Sequence, residues 1–279
     1  MNRLKHWLIM PWLGLMLIAS VHTVGHLLWS DDRALAWWGA ALAMIPMLGF
    51  MAWIALSGRA RTAETPWLQV IAAVVGGVLA LMEFRPLPGF YALGLGTAGV
   101  LLYVFWYTPL GRGNNPRLLP GARLPALQFH LPDGRVMDWQ SLPGQYRLLL
   151  FVRGNWCPLC VAQVRELAER YQALRDRGVD VLVITPQPHE HTRQLAERFN
   201  VPMIFCVDTD NRIAGQLGIV HRYGVPVGLM GYGTDAVYPT LVLTDAEGTV
   251  LYADVSENYR ARPEPDLVMD ILDQQRACA

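Results

Sequence analysis

Hydrophobic positions gather into four long stretches, over residues 7–29, 35–56, 67–84 and 88–107, and then give way to a run of short alternating elements. Each stretch is close to the roughly 20 residues that carry a helix across a hydrocarbon core, and the third is the shortest. The breaks hold Ser30-Asp31-Asp32-Arg33, Ser57-Gly58-Arg59-Ala60-Arg61 and Glu83-Phe84-Arg85-Pro86, polar and turn-forming residues that a membrane interface accepts. Trp7, Trp12, Trp29, Trp37, Trp38, Trp53, Trp67 and Trp106 fall mostly near the ends, as an interfacial aromatic belt requires. This pattern predicts a four-span helical membrane anchor over residues 1–110.

Residues 108–122 are rich in Pro, Gly and Asn and read as a linker. Beyond them, short apolar runs alternate with helix-period segments: strand 147–152, helix 161–177, strand 179–185, helix 191–199 and strand 203–207. Strands 240–244 and 249–253 flank the turn Asp245-Ala246-Glu247-Gly248, and a helix over 265–275 follows. Alternation of this kind predicts an α/β domain over 120–279.

The charge balance sharpens that division. Lys plus Arg number 23 and Asp plus Glu number 23, so no basic field exists to hold nucleic acid. Cationic residues are nevertheless placed unevenly: Arg3 and Lys5 precede the first stretch, Arg59 and Arg61 join the second to the third, and Arg112, Arg117 and Arg123 follow the fourth. Only Arg33 and Arg85 mark the opposite side, so the positive-inside rule places both termini and the α/β domain in the cytoplasm. A cleaved signal peptide is the rival reading of the first stretch, but apolarity continues to Trp29 without a clean small-residue cleavage site. His22 and His26 share one helix face inside that stretch. The other stretches contain no histidine to complete a bis-histidine haem, which leaves helix–helix bonding or packing as their use.

All four cysteines, Cys157, Cys160, Cys206 and Cys278, follow the apolar half, so no dithiol relay crosses it. The chemical signal is Trp156-Cys157-Pro158-Leu159-Cys160, where a strand has ended and an amphipathic helix begins. Cys157 is therefore expected to cap that helix, with Pro158 in its first turn, where a missing N–H costs nothing. Unpaired N–H groups and the helix dipole favour an anion there, which predicts a Cys157 thiolate, with Arg153 adding positive potential. Cys160 lies about one turn on, within reach of a disulfide with Cys157. Half a zinc site has the same spacing, yet the other candidate ligands, Cys206, His189, His191 and Cys278, form no second close pair.

Together with its neighbours, Arg153-Gly154-Asn155-Trp156-Cys157-Pro158-Leu159-Cys160 resembles the redox segment of the alkyl hydroperoxide reductase/thiol-specific antioxidant family, peroxiredoxin-like proteins of thioredoxin fold. The resemblance covers about residues 120–275: Gly121 to Pro125, Asp133-Gly134 and Leu142-Pro143-Gly144 match its lead-in, and Phe205-Cys206-Val207-Asp208 with Leu217-Gly218 resembles a later strand and helix. Tyr238-Pro239-Thr240 resembles the cis-proline loop of thioredoxins, which implies a cis Pro239 and a substrate-orienting role for Trp156, Tyr238, Pro239 and Thr240. In peroxidatic members the reactive cysteine matches Cys160. Threonine stands three residues before it and proline seven before, where this chain has Cys157 and Arg153, and the peroxide-binding arginine matches Tyr238. The thioredoxin acid six residues before the first cysteine is Phe151 here.

These departures favour a membrane-anchored thiol–disulfide oxidoreductase in which Cys157 attacks and Cys160 resolves, without cofactor or metal. The alternatives are a thiol peroxidase that reduces hydroperoxides through Cys160, and a non-catalytic metal-stabilised or scaffold module. Expected partners are protein or small-molecule disulfides, hydroperoxides, a reducing partner and the lipid bilayer. Cys206 reads as core packing, Cys278 as part of the tail, and His189 and His191 as a solvated loop. The Gly-rich stretch 223–238 reads as a loop beside the site.

Overall fold

The computed structural model describes residues 2–111, 115–258 and 260–278, which divide into two compact units. One holds the helical part as far as Leu110, with Pro226–Gly228; the other holds the C-terminal part and takes in Gly58–Arg61.

The helical unit contains α1 (Asn2–Trp29), α2 (Leu35–Ser57), α3 (Trp67–Met82) and α4 (Pro86–Tyr107). Among the described residues α1, α2 and α4 are long and apolar enough to cross a membrane, whereas α3 has 16 residues and falls short of that length. The turns of α4 widen to i→i+5 bonding over Phe90–Ala98 and Tyr103–Tyr107. Small residues let α2 and α3 approach closely: a Cβ on Gly39 would stand 2.5 Å from the carbonyl oxygen of Gly76. Outward positions such as Leu17, Ile18, Val21 and Leu68 remain exposed, the distribution of a bundle whose rim is apolar. Two of the belt tryptophans prove to be internal. Trp12 is buried and donates to the Leu95 carbonyl at 3.0 Å, and Trp37 is buried against His26, ring on ring at 3.9 Å. His22 shares a 3.3 Å hydrogen bond with the Tyr91 hydroxyl, so both histidines are spent on packing within the bundle.

In the C-terminal unit, a seven-stranded sheet runs in the order β2-β1-β5-β4-β3-β8-β9. The strands are β1 (Gln128–His130), β2 (Val136–Asp138), β3 (Tyr146–Phe151), β4 (Val179–Thr185), β5 (Ile204–Val207), β8 (Thr240–Asp245) and β9 (Val250–Val255), with β6 (Val220–His221) and β7 (Ala236–Val237) paired separately. Central β3 and β4 are parallel and buried nearly throughout, which is why both read as continuous apolar runs rather than alternating ones. β3 is also antiparallel to β8, with Phe151 opposite Thr240, and this register brings the strand leading to the cysteines beside the strand that follows Pro239.

Helix α5 (Pro158–Glu169) follows β3, and a residue with non-helical angles, Arg170, separates it from α6 (Tyr171–Asp176), so the single helix expected over 161–177 is two. Further along, α7 (His189–Ala196), α8 (Arg212–Leu217) and α9 (Pro265–Cys278) complete the domain. His189 and His191, expected in a loop, open α7, and His191 stacks on Tyr232 at 4.7 Å. The end of the expected linker is also part of the domain. Asn115 Nδ2 donates to Leu217 O at 2.7 Å and Arg117 Nη1 to Gln216 O at 2.5 Å, satisfying carbonyls that the end of α8 leaves unpaired, and Leu118 is buried in the core. Arg112 lies outside the described residues, as does the side chain of Cys278.

One buried cation holds the strand edges together. Arg147, on β3, donates to the carbonyls of Trp139 (2.9 Å), Leu142 (3.2 Å), Asp245 (3.2 Å) and Ala246 (2.6 Å). Leaving such buried acceptors unpaired costs about 1–3 kcal/mol each, so this side chain fixes the lead-in loop against the β8 end of the sheet.

Candidate active site

β3 ends at Phe151, and the chain then turns through Gly154, whose φ of +142° suits a residue without Cβ. A Cβ there would stand 2.8 Å from Trp156 Nε1 and 2.9 Å from Gln187 Oε1, so the turn is packed as well as conformationally special. Cys157 is the extended residue that precedes α5, and Pro158 occupies the first helical turn. The Cys157 carbonyl accepts from the N–H groups of Cys160 (3.0 Å) and Val161 (3.1 Å).

The two sulfurs lie in different surroundings. Cys157 occupies the cap position, and its side chain takes no capping hydrogen bond. Instead the Cys157 thiol donates to the Cys160 sulfur. That bond, burial and the neighbouring Cys160 charge push the Cys157 thiol well up, against the opposing pull of Arg153 and Arg262. Burial also works against an anion at Cys160. It is outweighed by the hydrogen bond from Cys157, the Arg262 guanidinium, the Arg153 backbone N–H and the Arg153 charge, which together bring Cys160 down to about 5. These directions make Cys160 the more acidic of the two sulfurs.

Arg262 supplies the charge that the sequence reading missed. Its Nη2 lies 3.8 Å from Cys160 Sγ, and its Nη1 donates to Gln163 Oε1 at 3.4 Å, one turn further along α5. Arg262 follows β9 and is 102 residues from Cys160 in sequence, so no spacing motif announces the pairing. Arg153 is buried, lies over the Trp156 ring at 4.6 Å and donates to the Gly224 carbonyl. Asn155 N–H donates to Gln187 Oε1 at 2.8 Å, and the Tyr232 hydroxyl donates to Asn155 Oδ1. Thus residues 153 and 155 fasten the Gly-rich loop beside the redox segment at Gly224 and at Tyr232.

The residues expected to face the cysteines from the far side sit in the strand entry. Peptide bonds among the described residues are all trans, so Pro239 is not cis. Tyr238 N–H donates to Ile219 O at 2.8 Å and Pro239 O accepts from Ser256 N at 3.1 Å, so regular cross-chain pairing carries the backbone through Pro239 into β8 in the trans form. Tyr238 stacks flat on His221 at 4.5 Å, and Thr240 turns its hydroxyl back to the Tyr238 carbonyl at 2.9 Å. Cys206 is buried on β5, where burial raises its thiol, and no group of three or more His, Cys, Asp or Glu side chains able to hold a metal occurs among the described residues.

Residues 120–253 match the AhpC/TSA family. These residues form an AhpC/TSA family domain. Peroxiredoxin Bcp of Escherichia coli strain K12 is 26% identical over 149 residues, which span 53% of this chain and 92% of that protein. Among solved structures, peroxidoxin BcpB from Mycobacterium tuberculosis aligns over 57% of this chain and 97% of its own, with 19% identity and a TM-score of 0.46. Mycobacterium tuberculosis AhpC aligns over 58% and 94%, with 15% identity and the same TM-score of 0.46. Within the AhpC/TSA domain Cys157 and Cys160 both lie inside the matched segment, whereas Arg262 lies beyond its end.

Proposed function

We propose that this chain is a peroxiredoxin-like thiol peroxidase in which Cys160 attacks a hydroperoxide and Cys157 resolves the product. The observation that carries this reading is a buried Cys160 sulfur flanked by Arg262 and hydrogen-bonded by Cys157. Cys160 and Cys157 are only 1% and 4% exposed, a depth that a two-oxygen substrate reaches far more readily than a protein disulfide. The AhpC/TSA match and the likeness to peroxiredoxin Bcp support the same reaction class.

The Cys160 thiolate attacks the distal peroxide oxygen, the O–O bond breaks, and the departing alkoxide takes up a proton to leave as alcohol or water. Positive charge from Arg262 lies where that step develops negative charge, in place of the arginine whose family position holds Tyr238. The Cys157 thiol then attacks the Cys160 sulfenic acid, forming the Cys157–Cys160 disulfide and releasing water. An external dithiol restores both thiols and is oxidised to its disulfide. Thiol–disulfide exchange thus enters as the second half of the cycle. One equivalent of hydrogen peroxide added to the reduced full-length protein is expected to give a Cys157–Cys160 disulfide by peptide mass spectrometry, and peroxide left unconsumed with both thiols intact refutes the proposal.

α1, α2 and α4, with the shorter α3 beside them, supply the apolar lengths for a bilayer-embedded bundle, and the cationic residues of its connections favour a cytoplasmic redox domain. Met230 is 91% exposed, so a Met230→Cys chain offers a labelling site. A membrane-impermeant maleimide is expected to label it only after permeabilisation; labelling at that site on intact cells would reverse the orientation.

A further inference from the structure

Arg61 enters the sequence analysis only as a marker of sidedness, yet it makes more polar contacts than a solvated loop residue needs. It belongs to Gly58–Arg61, the part of the α2–α3 connection that is grouped with the redox domain. Its Nε donates to the Arg262 carbonyl at 3.1 Å and its Nη2 to the Pro263 carbonyl at 3.2 Å. The same guanidinium pairs with Glu166 on α5 and reaches Glu264 Oε1 at 3.4 Å. It therefore grips both segments whose separation sets the Arg262–Cys160 distance: the turn that carries Arg262 and the helix that begins just before Cys160.

We propose that Arg61 is a positioning residue that holds the Arg262 guanidinium against Cys160, making the segment between the second and third apolar helices a structural part of the redox site. The proposal rests on the reading of Cys160 as the attacking thiolate. Arg61 touches neither sulfur; it acts through the Arg262 backbone. A planar guanidinium with five fixed donors can hold two carbonyls and two carboxylates at once, whereas an ammonium of equal charge cannot reproduce that fork. Both Arg61 and Arg262 lie outside the matched residues 120–253.

The experiment measures the pH midpoint of Cys160 alkylation, resolved by peptide mass spectrometry, in the full-length detergent-solubilised protein. Arg61→Lys keeps the charge and loses the fork. It is expected to raise the midpoint by about one unit, or about tenfold less thiolate well below that midpoint. Arg61→Lys in an Arg262→Ala background is expected to add nothing, because the group it positions is gone. Continued protection of buried Cys206 reports that each variant is folded, and exposure of Cys206 in Arg61→Lys overturns the proposal by showing that the contact holds the fold rather than the guanidinium. An unchanged midpoint in Arg61→Lys, or an equal shift with and without Arg262, also overturns it. If Arg262→Ala itself leaves the midpoint unmoved, the reading of Cys160 beneath the proposal fails instead.

Discussion

Cys160→Ser is expected to abolish hydroperoxide consumption, whereas Cys157→Ser is expected to consume about one equivalent per chain and then stop. The asymmetry follows from the proposed roles of the two sulfurs: the Cys157 thiol is pushed up by its hydrogen bond to Cys160 and by burial, and Cys160 is drawn down, against burial, by that bond and by Arg262. Serine at 160 offers an alcohol in place of a thiolate, and removing a covalent nucleophile costs on the order of a thousandfold or more. Serine at 157 leaves the attacking sulfur in place but removes the thiol that condenses with its sulfenic acid, so the oxidised chain accumulates. Stopped-flow peroxide traces with dimedone trapping separate the two. A Cys157→Ser chain with no initial reaction, beside a Cys160→Ser chain that still reacts, would return the attacking role to Cys157.

Loss of Arg262 has the second largest expected effect, and its sign follows from charge. Cys160 is drawn down to about 5 with Arg262 among the causes, so peroxide reactivity is expected to hold from neutral pH down to that region and to fall as the thiolate protonates below it. An opposite charge within about 4–6 Å shifts a group by about 1–3 units, so Arg262→Ala is expected to move the fall toward neutrality. A shift of about two units leaves roughly tenfold less thiolate at pH 6. Arg262→Lys is expected to recover part of the loss, since it restores charge without the bond to Gln163. A pH–rate profile of Arg262→Ala that overlays the wild-type curve counts against the assignment.

Much of the scaffold was legible in the chain because local patterns encode it. The buried parallel strands β3 and β4 appear as apolar runs interrupted only near their starts, at Arg147 and Asp180, and their flanking helices as periodic ones, since burial on two faces or one imposes those patterns directly. Pro158 and the amphipathic run after it located the start of α5, because a proline ring and a helical face are both local properties. Less legible were β1 and β2, three residues each, too short for a period to show. Also hidden was the trans state of Pro239, which depends on pairing with Ile219 and Ser256 far along the chain.

By itself the sequence determined that a helix begins between two cysteines one turn apart, and that an apolar, helix-forming half precedes them. Both are written in neighbouring residues. The charge that surrounds the two sulfurs was decided only in three dimensions. The helix end beside Cys157 is visible in the sequence; the guanidinium 3.8 Å from Cys160 comes from Arg262, 102 residues away, and Coulomb attraction depends on distance in space rather than separation along the chain.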